Sequence, residues 1–170
     1  MIMPPDTLDT TRSEYEKESD AIQKVFRRPF FLSLTIGIPF CIFKLLYGIT
    51  AIRTGGAENL FLSVFGWLVV SWATADLLMN IGRSILDLLH LRAPFEYCTI
   101  AQTGHYFHRP VLFLAVDTLL AFCIVCAMLW SGWITRLTLF ESYLWYSATT
   151  MNLVSLSLVG IYNEIRTARQ

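Results

Sequence analysis

The sequence predicts an all-α, polytopic membrane protein, in which a short amphipathic helix precedes a bundle of four transmembrane helices. Hydrophobic residues make up 55% of the chain and charged residues only 15%, whereas soluble globular proteins carry about 25% charged residues. Four segments reach the ~20 mainly apolar residues that a spanning helix needs. They cover residues 29–51, 60–89, 111–134 and 137–162.

The first 28 residues are predicted to form a cytoplasmic amphipathic segment. Thr11 and Glu14 have the spacing of a helix capping box, and apolar residues recur after them on one helical face. A solvated, charged tail is the alternative interpretation. We assign residues 29–162 to a four-helix transmembrane domain and residues 163–170 to a cytoplasmic tail.

The distribution of cations predicts how the chain is oriented. Ten of the 13 Lys and Arg residues lie in the N-terminal segment, in or beside the connection between the second and third spans, or in the tail. Arg53 and Arg136 lie on the opposite side, and Lys44 lies inside the first span. Because cytoplasmic loops carry the excess of Lys and Arg, we expect a multi-pass protein with both termini in the cytoplasm.

Charge and cysteine content argue against several classes of partner. The 13 cationic and 13 acidic residues give a net charge of zero, so the basic surface typical of nucleic-acid binders is missing and we expect no nucleic-acid partner. Cys123 and Cys126 have redox or zinc spacing but lie in an apolar run, where thiols behave as small hydrophobes. His105 and His108 lack a third ligand nearby. We therefore expect no metal and no cofactor.

A first pair of charged residues is expected near the outer face. Helical rise places Lys44 ~22 Å from the inner edge of its span and Glu141 ~6 Å from the outer edge of the fourth. In an apolar core ~30 Å thick these depths are similar, so the sequence predicts an ion pair between Lys44 and Glu141. The alternative is that Lys44 extends outward to the interface.

A second, intramembrane polar site is expected in the inner third of the bundle, where Asp76, Asp117 and Asn152 converge on one layer without Lys or Arg and Arg83 is the nearest cation. Its predicted members are Asp76, Asn80, Asp117, Asn152 and Arg83. We expect Asp76 and Asp117 to point inward from adjacent spans, with Asn80 or Asn152 in hydrogen-bonding range. Because two ionised carboxylates are costly in this medium, we expect at least one to be protonated at neutral pH unless Arg83 reaches it.

The sequence favours a non-enzymatic role. It contains no nucleotide-binding loop, nucleophile elbow or zinc-protease helix, and it offers no set of catalytic residues. We expect an integral membrane subunit or scaffold acting within a larger membrane complex. Its partners would be the lipid bilayer and either further copies of the chain or other membrane proteins, docked through the N-terminal segment or a surface-lying connection between spans 2 and 3. The alternative is an ion- or proton-conducting oligomer or small transporter that uses Asp76 and Asp117.

Overall fold

The computed structural model describes residues 33–91, 95–96 and 98–167, and this part of the chain is all-helical. The five α-helices are α1 Ile38–Gly55, α2 Leu60–Leu88, α3 Thr99–Tyr106, α4 Pro110–Trp130 and α5 Leu139–Thr167. A π-helical turn, Ser33–Gly37, leads into α1, and a 3-10 turn, Trp133–Arg136, joins α4 to α5. The predicted N-terminal segment lies outside the described residues.

Four helical stretches are long and apolar enough to cross a membrane. They are Ser33–Gly55, Leu60–Leu88, Leu112–Trp130 and Leu139–Ile161. The four predicted apolar segments therefore correspond to the four long helices. The first helix continues four residues beyond its predicted end, to Gly55, and this extension decides where Lys44 lies.

Local sequence explains where the helices begin. The side chain of Asn59 accepts a hydrogen bond from the Leu62 amide and so caps α2. Pro110 begins α4, where its missing N–H costs nothing. Pro39 stands in the first turn of α1, directly after the π-helical turn. Since proline cannot donate to the helical ladder, the change of helix type at this position accommodates the interruption.

Helix α1 is the central element of the bundle, because it packs against α2, α4 and α5. Half of its apolar window is buried, against 17–22% for the other three long helices. Its contact with α2 depends on glycine. A Cβ at Gly66 would lie only 2.7 Å from the carbonyl oxygen of Gly48 and 2.8 Å from the amide of Ile52, so the two backbones touch.

The apolar core lies between α1, α4 and α5. Its buried members are Phe40, Phe43, Leu46, Ala121, Met128, Trp145 and Ala148. Within it, the rings of Phe43 and Trp145 pack edge to face at 4.8 Å between centroids, a preferred geometry for aromatic pairs. The core therefore holds α5 against α1.

The connection between α2 and α4 folds back into the bundle. Arg83 of α2 donates to the carbonyl of Phe95 at 2.8 Å, and Thr99 reaches Asp76, which lies 12 residues before the end of α2, or ~18 Å along its axis. Helix α3 then contacts both α2 and α4. The described part of this connection is therefore wedged beside α2 and α4 rather than spread along the bundle surface, because its polar groups find partners on α2.

The bundle has two ends. The His90 end is where α2 and α3 terminate, two residues before His90 and His108 respectively. The Arg53 end is the opposite one, where α1 turns into α2 and the 3-10 turn joins α4 to α5.

Candidate functional site

The candidate site is a buried ammonium group shared by two carboxylates. Lys44 Nζ donates to Asp76 Oδ2 at 2.8 Å and to Asp117 Oδ1 at 2.6 Å. The side chains of Lys44 and Asp76 are 1% and 0% exposed, so this charge cluster is removed from the surroundings. We call Lys44, Asp76 and Asp117 the charge cluster. It joins α1, α2 and α4 at one point.

Asp76 is the most heavily bonded member of the charge cluster. Its Oδ1 accepts hydrogen bonds from the amide and from the hydroxyl of Thr99, both at 2.8 Å. The hydroxyl of Thr99 accepts in turn from Trp72 Nε1 at 2.9 Å. Thr99 is the first residue of α3, so the positive end of this helix also faces the carboxylate.

Trp72 covers the ammonium group from a second side. Lys44 Nζ lies 4.2 Å from the centroid of the Trp72 ring, within the range of a cation–π interaction, which gains strength when both groups are desolvated. Trp72 therefore contacts the charge cluster directly through its ring face at Lys44, and indirectly through its N–H, which bonds to the Thr99 hydroxyl that donates to Asp76.

A chain of uncharged polar groups continues from the charge cluster toward the His90 end. The amide of Asn80 donates to the backbone carbonyl of Asp76 at 3.0 Å, and Asn80 Oδ1 accepts from Ser33 at 3.0 Å. The hydroxyl of Ser84 donates to that of Ser33 at 2.9 Å. Asn80 therefore lies beside Asp76 as expected, but it binds the backbone of Asp76 and not the carboxylate.

The expected ion pair between Lys44 and Glu141 is wrong. Glu141 instead accepts from Arg53 through both oxygens, at 2.6 and 3.1 Å. The reason is the length of the first helix. Because the helix continues to Gly55, Arg53 stands in its last turn, level with Glu141, while Lys44 stands nine residues earlier, or ~14 Å along the axis, level with the carboxylates.

The expectation of a carboxylate layer without a cation fails for the same reason. Asp76 and Asp117 do point into the bundle and do share one site, but α1 brings Lys44 between them. The cation that reaches Asp76 is therefore Lys44 rather than Arg83. Arg83 pairs with Glu96 of the connection at 2.9 Å.

Asn152 is buried on α5, with 7% of its surface exposed. Among the described residues its Oδ1 finds no hydrogen-bond partner, and the hydrogen bonds of Asp76 and Asp117 in that part of the chain come from Lys44 and Thr99. The predicted polar site therefore divides into three parts. They are the charge cluster, the polar chain of Asn80, Ser33 and Ser84 on its His90 side, and the separate side chain of Asn152.

The cysteines divide into two buried and two exposed thiols. Cys41 lies 3.6 Å from Asn80 Nδ2, and Cys98 accepts from the Ala101 amide at 3.4 Å at the start of α3. Burial raises the pKa of the Cys98 thiol to about 12, and the Asp117 carboxylate adds to this effect. Within the described ranges, no group of three or more His, Cys, Asp or Glu side chains is placed to hold a metal ion.

Thr99 and Trp72 are the two site residues that sequence reasoning missed. One signal existed. Thr99 follows Cys98 in a connection that is too apolar for a solvated loop, and hydroxyl side chains at a helix start commonly engage anions or free amides. Trp72 lies one helical turn before Asp76, so its contact with the charge cluster could be inferred only once the facing helix was known.

The arrangement can hold ionisable groups inside the bundle, and the hydrogen bonds of the charge cluster and Thr99 join four helices, α1, α2, α3 and α4. Comparisons of the chain with protein-family models, with curated proteins and with solved structures find no match.

Proposed function

We propose that this chain is a multi-pass integral membrane protein with both termini in the cytoplasm, and that it acts as a non-enzymatic subunit or scaffold of a larger membrane complex. The four long apolar helices support the membrane location. The excess of Lys and Arg at the His90 end and in the terminal segments supports the orientation.

The charge cluster supports a role as a rigid framework. Separating Lys44 from Asp76 in an apolar medium would leave both charges without compensation, which is strongly unfavourable. The hydrogen bonds of Thr99 extend this constraint to α3. One cluster thus fixes the relative positions of α1, α2, α3 and α4. A scaffold needs this rigidity, because the surface that binds a partner must keep a constant shape.

An open apolar groove between α2 and α4 is the observation that carries the proposal. It has a volume of about 550 Å3 and opens sideways, with Phe65 and Trp72 on the α2 wall and Cys123 and Ala127 on the α4 wall. Because α3 is inserted between α2 and α4 only at the His90 end, the groove remains open toward the Arg53 end.

The groove has the character of a helix-docking site. Transmembrane helices associate through close van der Waals packing, which small side chains such as Ala and Cys allow. Its α4 wall offers Cys123 and Ala127, while its α2 wall offers large apolar side chains. We therefore place the partner, an apolar transmembrane helix, between α2 and α4.

Two native cysteines provide a matched test. Cys123 lines the groove, whereas Cys126 is exposed elsewhere on α4. The variants C126S and C123S each retain one exposed thiol, to which a photoactivatable maleimide is attached in native membranes. Attachment at Cys123 should crosslink a polypeptide, identified by mass spectrometry as a second copy or another membrane protein, while attachment at Cys126 should yield mainly lipid adducts.

The result can contradict the proposal in two ways. Equal protein crosslinking from both positions would remove the groove as the docking site. Lipid adducts alone from both positions, together with a monomeric particle after extraction in native lipid, would remove the subunit role. The orientation is tested separately, by attaching a membrane-impermeant label to cysteines introduced at Glu58 and at His108, on opposite ends of the bundle.

A second candidate function is an ion- or proton-conducting oligomer or small transporter. It is favoured by one observation: two carboxyl groups face a single ammonium group inside the bundle. Reconstituted liposomes should then show proton or cation flux that Asp117→Asn abolishes. An equal flux from the wild type and from Asp117→Asn, or no flux from either of them, would leave the framework role as the better account.

A further inference from the structure

The charge balance of the cluster demands one more positive charge than Lys44 supplies. If all three groups were ionised, the site would carry a net negative charge with little exposure. Uncompensated charge in an apolar medium costs several kcal/mol, so such a site takes up a proton or a counter-ion. The question is which of the two carboxyl groups receives it.

Asp76 is held in its ionised form by its hydrogen bonds. The amide of Thr99 can only donate, and so can the ammonium of Lys44. The Thr99 hydroxyl accepts from Trp72 Nε1 and donates its own hydrogen to Asp76 Oδ1. Three donors therefore point at the Asp76 carboxylate, and they occupy most of its lone pairs. Because hydrogen bonds from donors favour the charged form of a carboxyl group, they stabilise Asp76 in its ionised state.

Asp117 has a different environment. Its described contact is the one from Lys44 to Oδ1, and its side chain is 9% exposed, against 0% for Asp76. The titratable groups that act on it are Lys44 and Cys41 of α1, Asp76 of α2 and Cys98 beside α3. Only Lys44 among these is cationic, and its charge is already shared with Asp76.

A cavity in the same part of the bundle offers a route for exchange. It has a volume of about 350 Å3 and lies between the π-helical turn, α1, α2, α4 and α5, and its mainly apolar lining includes Ser33, Asn80 and Thr118. Asn80 bonds to the backbone of Asp76, and Thr118 directly follows Asp117 in the sequence, so two of its lining residues adjoin members of the charge cluster.

We infer that Asp117 is a proton-binding site: at neutral pH it carries the proton that balances the cluster, while Asp76 remains ionised. The proton exchanges through the cavity lined by Ser33, Asn80 and Thr118. This inference rests on the proposal that the long helices lie in a membrane, and it names the ligand of the second candidate function. It does not require that the chain have a protein partner.

A hydrophobic carbodiimide tests this assignment on the full chain in liposomes. The reagent takes the proton of a neutral carboxyl group on one nitrogen and the carboxyl oxygen on its central carbon, and rearrangement then leaves a stable N-acylurea. Peptide mapping by mass spectrometry reads which residue is modified. We expect the adduct on Asp117 at pH 7 and its yield to fall as the pH rises.

The variant Asp76→Asn separates charge balance from simple accessibility. It leaves Lys44 and Asp117 as a balanced pair, so Asp117 should lose its proton and its labelling should fall at least about tenfold although the residue is still present. Labelling of Asp76 instead of Asp117 would overturn the assignment, and so would undiminished labelling of Asp117 in Asp76→Asn. Circular dichroism verifies that each variant keeps its helices, and Asp76→Glu, which retains the charge, should keep the wild-type labelling.

Carbodiimide labelling and crosslinking at Cys123 report on different properties of the chain. Labelling reports the protonation of Asp117 whether or not a partner helix is captured at Cys123. Conversely, the orientation is read from impermeant labelling of cysteines introduced at Glu58 and His108, which lie at the ends of the bundle and away from the charge cluster. Suppression of labelling by Na+ at constant pH would overturn the choice of a proton, since a bound sodium ion would then supply the missing charge.

Discussion

Thr99 binds Asp76 through two hydrogen bonds of 2.8 Å, one from its backbone amide and one from its hydroxyl. This pair attaches the first residue of α3 to the middle of α2. Helix α3 consequently begins deep in the bundle and descends along α4, where Gly104 packs against Phe113 so closely that a Cβ would lie 2.5 Å from the Phe113 Cβ. One pair of residues thus determines the course of the connection.

Removal of the Thr99 hydroxyl should loosen this attachment. Thr99→Val removes the hydrogen bond to the Asp76 carboxylate and the acceptor of Trp72, and bonds to charged groups contribute about 1.5–3 kcal/mol. We expect the free energy of unfolding in mixed micelles to fall by about that amount. Thr99→Ser keeps the hydroxyl and should restore most of it. Thr103→Val is the matched control, because Thr103 is exposed and bonds only within α3 in the described contacts; an equal loss there would contradict the assignment.

Removal of Lys44 should be the most damaging single substitution in the bundle. Lys44→Met leaves two buried carboxyl groups without their cation, and breaking a buried pair typically costs about 3–5 kcal/mol. Arg53→Met is the control. The Arg53 side chain is 43% exposed in its pair with Glu141, and exposed pairs contribute about 1 kcal/mol or less. Denaturant titration in micelles measures both losses.

A charge-free variant separates packing from electrostatics. Lys44→Met combined with Asp76→Asn and Asp117→Asn removes all three ionisable groups and keeps similar side-chain volumes. Because the penalty of the single substitution comes from uncompensated carboxyl groups, the triple variant should unfold at a higher denaturant concentration than Lys44→Met alone. A triple variant less stable than the single one would mean that the contacts themselves, and not charge balance, hold the cluster.

A methyl group at Gly66 should push α1 and α2 apart. Gly66→Ala would place its Cβ against the backbone of Gly48 and Ile52, and overpacking of this kind costs about 1–3 kcal/mol. Gly160→Ala is the control, because nothing lies within 4 Å of a Cβ there. In α5 this change should stabilise the helix by up to about 1 kcal/mol. The midpoint temperature of thermal unfolding in detergent should therefore fall in Gly66→Ala and rise in Gly160→Ala, relative to the wild type.

The histidine that ends α3 adopts a left-handed backbone conformation. His108 has φ of 58°, and His90 at the end of α2 has φ of 59°. In each case the following amide bonds back to the helix, as in the Arg109 amide to the Gly104 carbonyl at 2.9 Å, the geometry that usually holds glycine. His108→Gly should raise the free energy of unfolding by up to about 1 kcal/mol. His105→Gly, inside α3, should lower it, and a loss in both would contradict this account.

The Cys98 thiol predicts a loss of stability at high pH. Burial raises its pKa from 9.0 to about 12, so the unfolded chain loses the proton near pH 9 while the folded chain keeps it. The contribution of the protonated thiol to the free energy of unfolding is therefore complete below pH 9. It is lost as the pH rises from 9 to 12, by at most about 1.4 kcal/mol per pH unit. Between pH 7 and pH 11 the free energy of unfolding should fall less steeply in Cys98→Ala than in the wild type. Cys123→Ala, at an exposed position, should follow the wild type.

The positions of the four long helices could be predicted from the sequence alone. Hydropathy acts locally: a run of apolar residues near residue 120 forms a long apolar helix whatever its neighbours are. The same local property placed Asp76 and Asp117 inside such helices, which identified them as groups that need a partner. Their convergence on one site also followed from helical rise, because both depths could be counted from the helix ends.

The partner of each charged group was decided by the tertiary structure. The predicted end of the first span lay four residues, or ~6 Å along the axis, too early. It therefore left Arg53 outside the span and placed Lys44 near the level of Glu141. The facing of α1 toward α2 and α4 depends on contacts between distant segments, and so do the bonds that tie Phe95 and Thr99 back to α2. Sequence therefore determined which residues must be paired within the bundle. Only packing determined that Lys44 and Thr99 bond to Asp76 and that Trp72 contacts both of them.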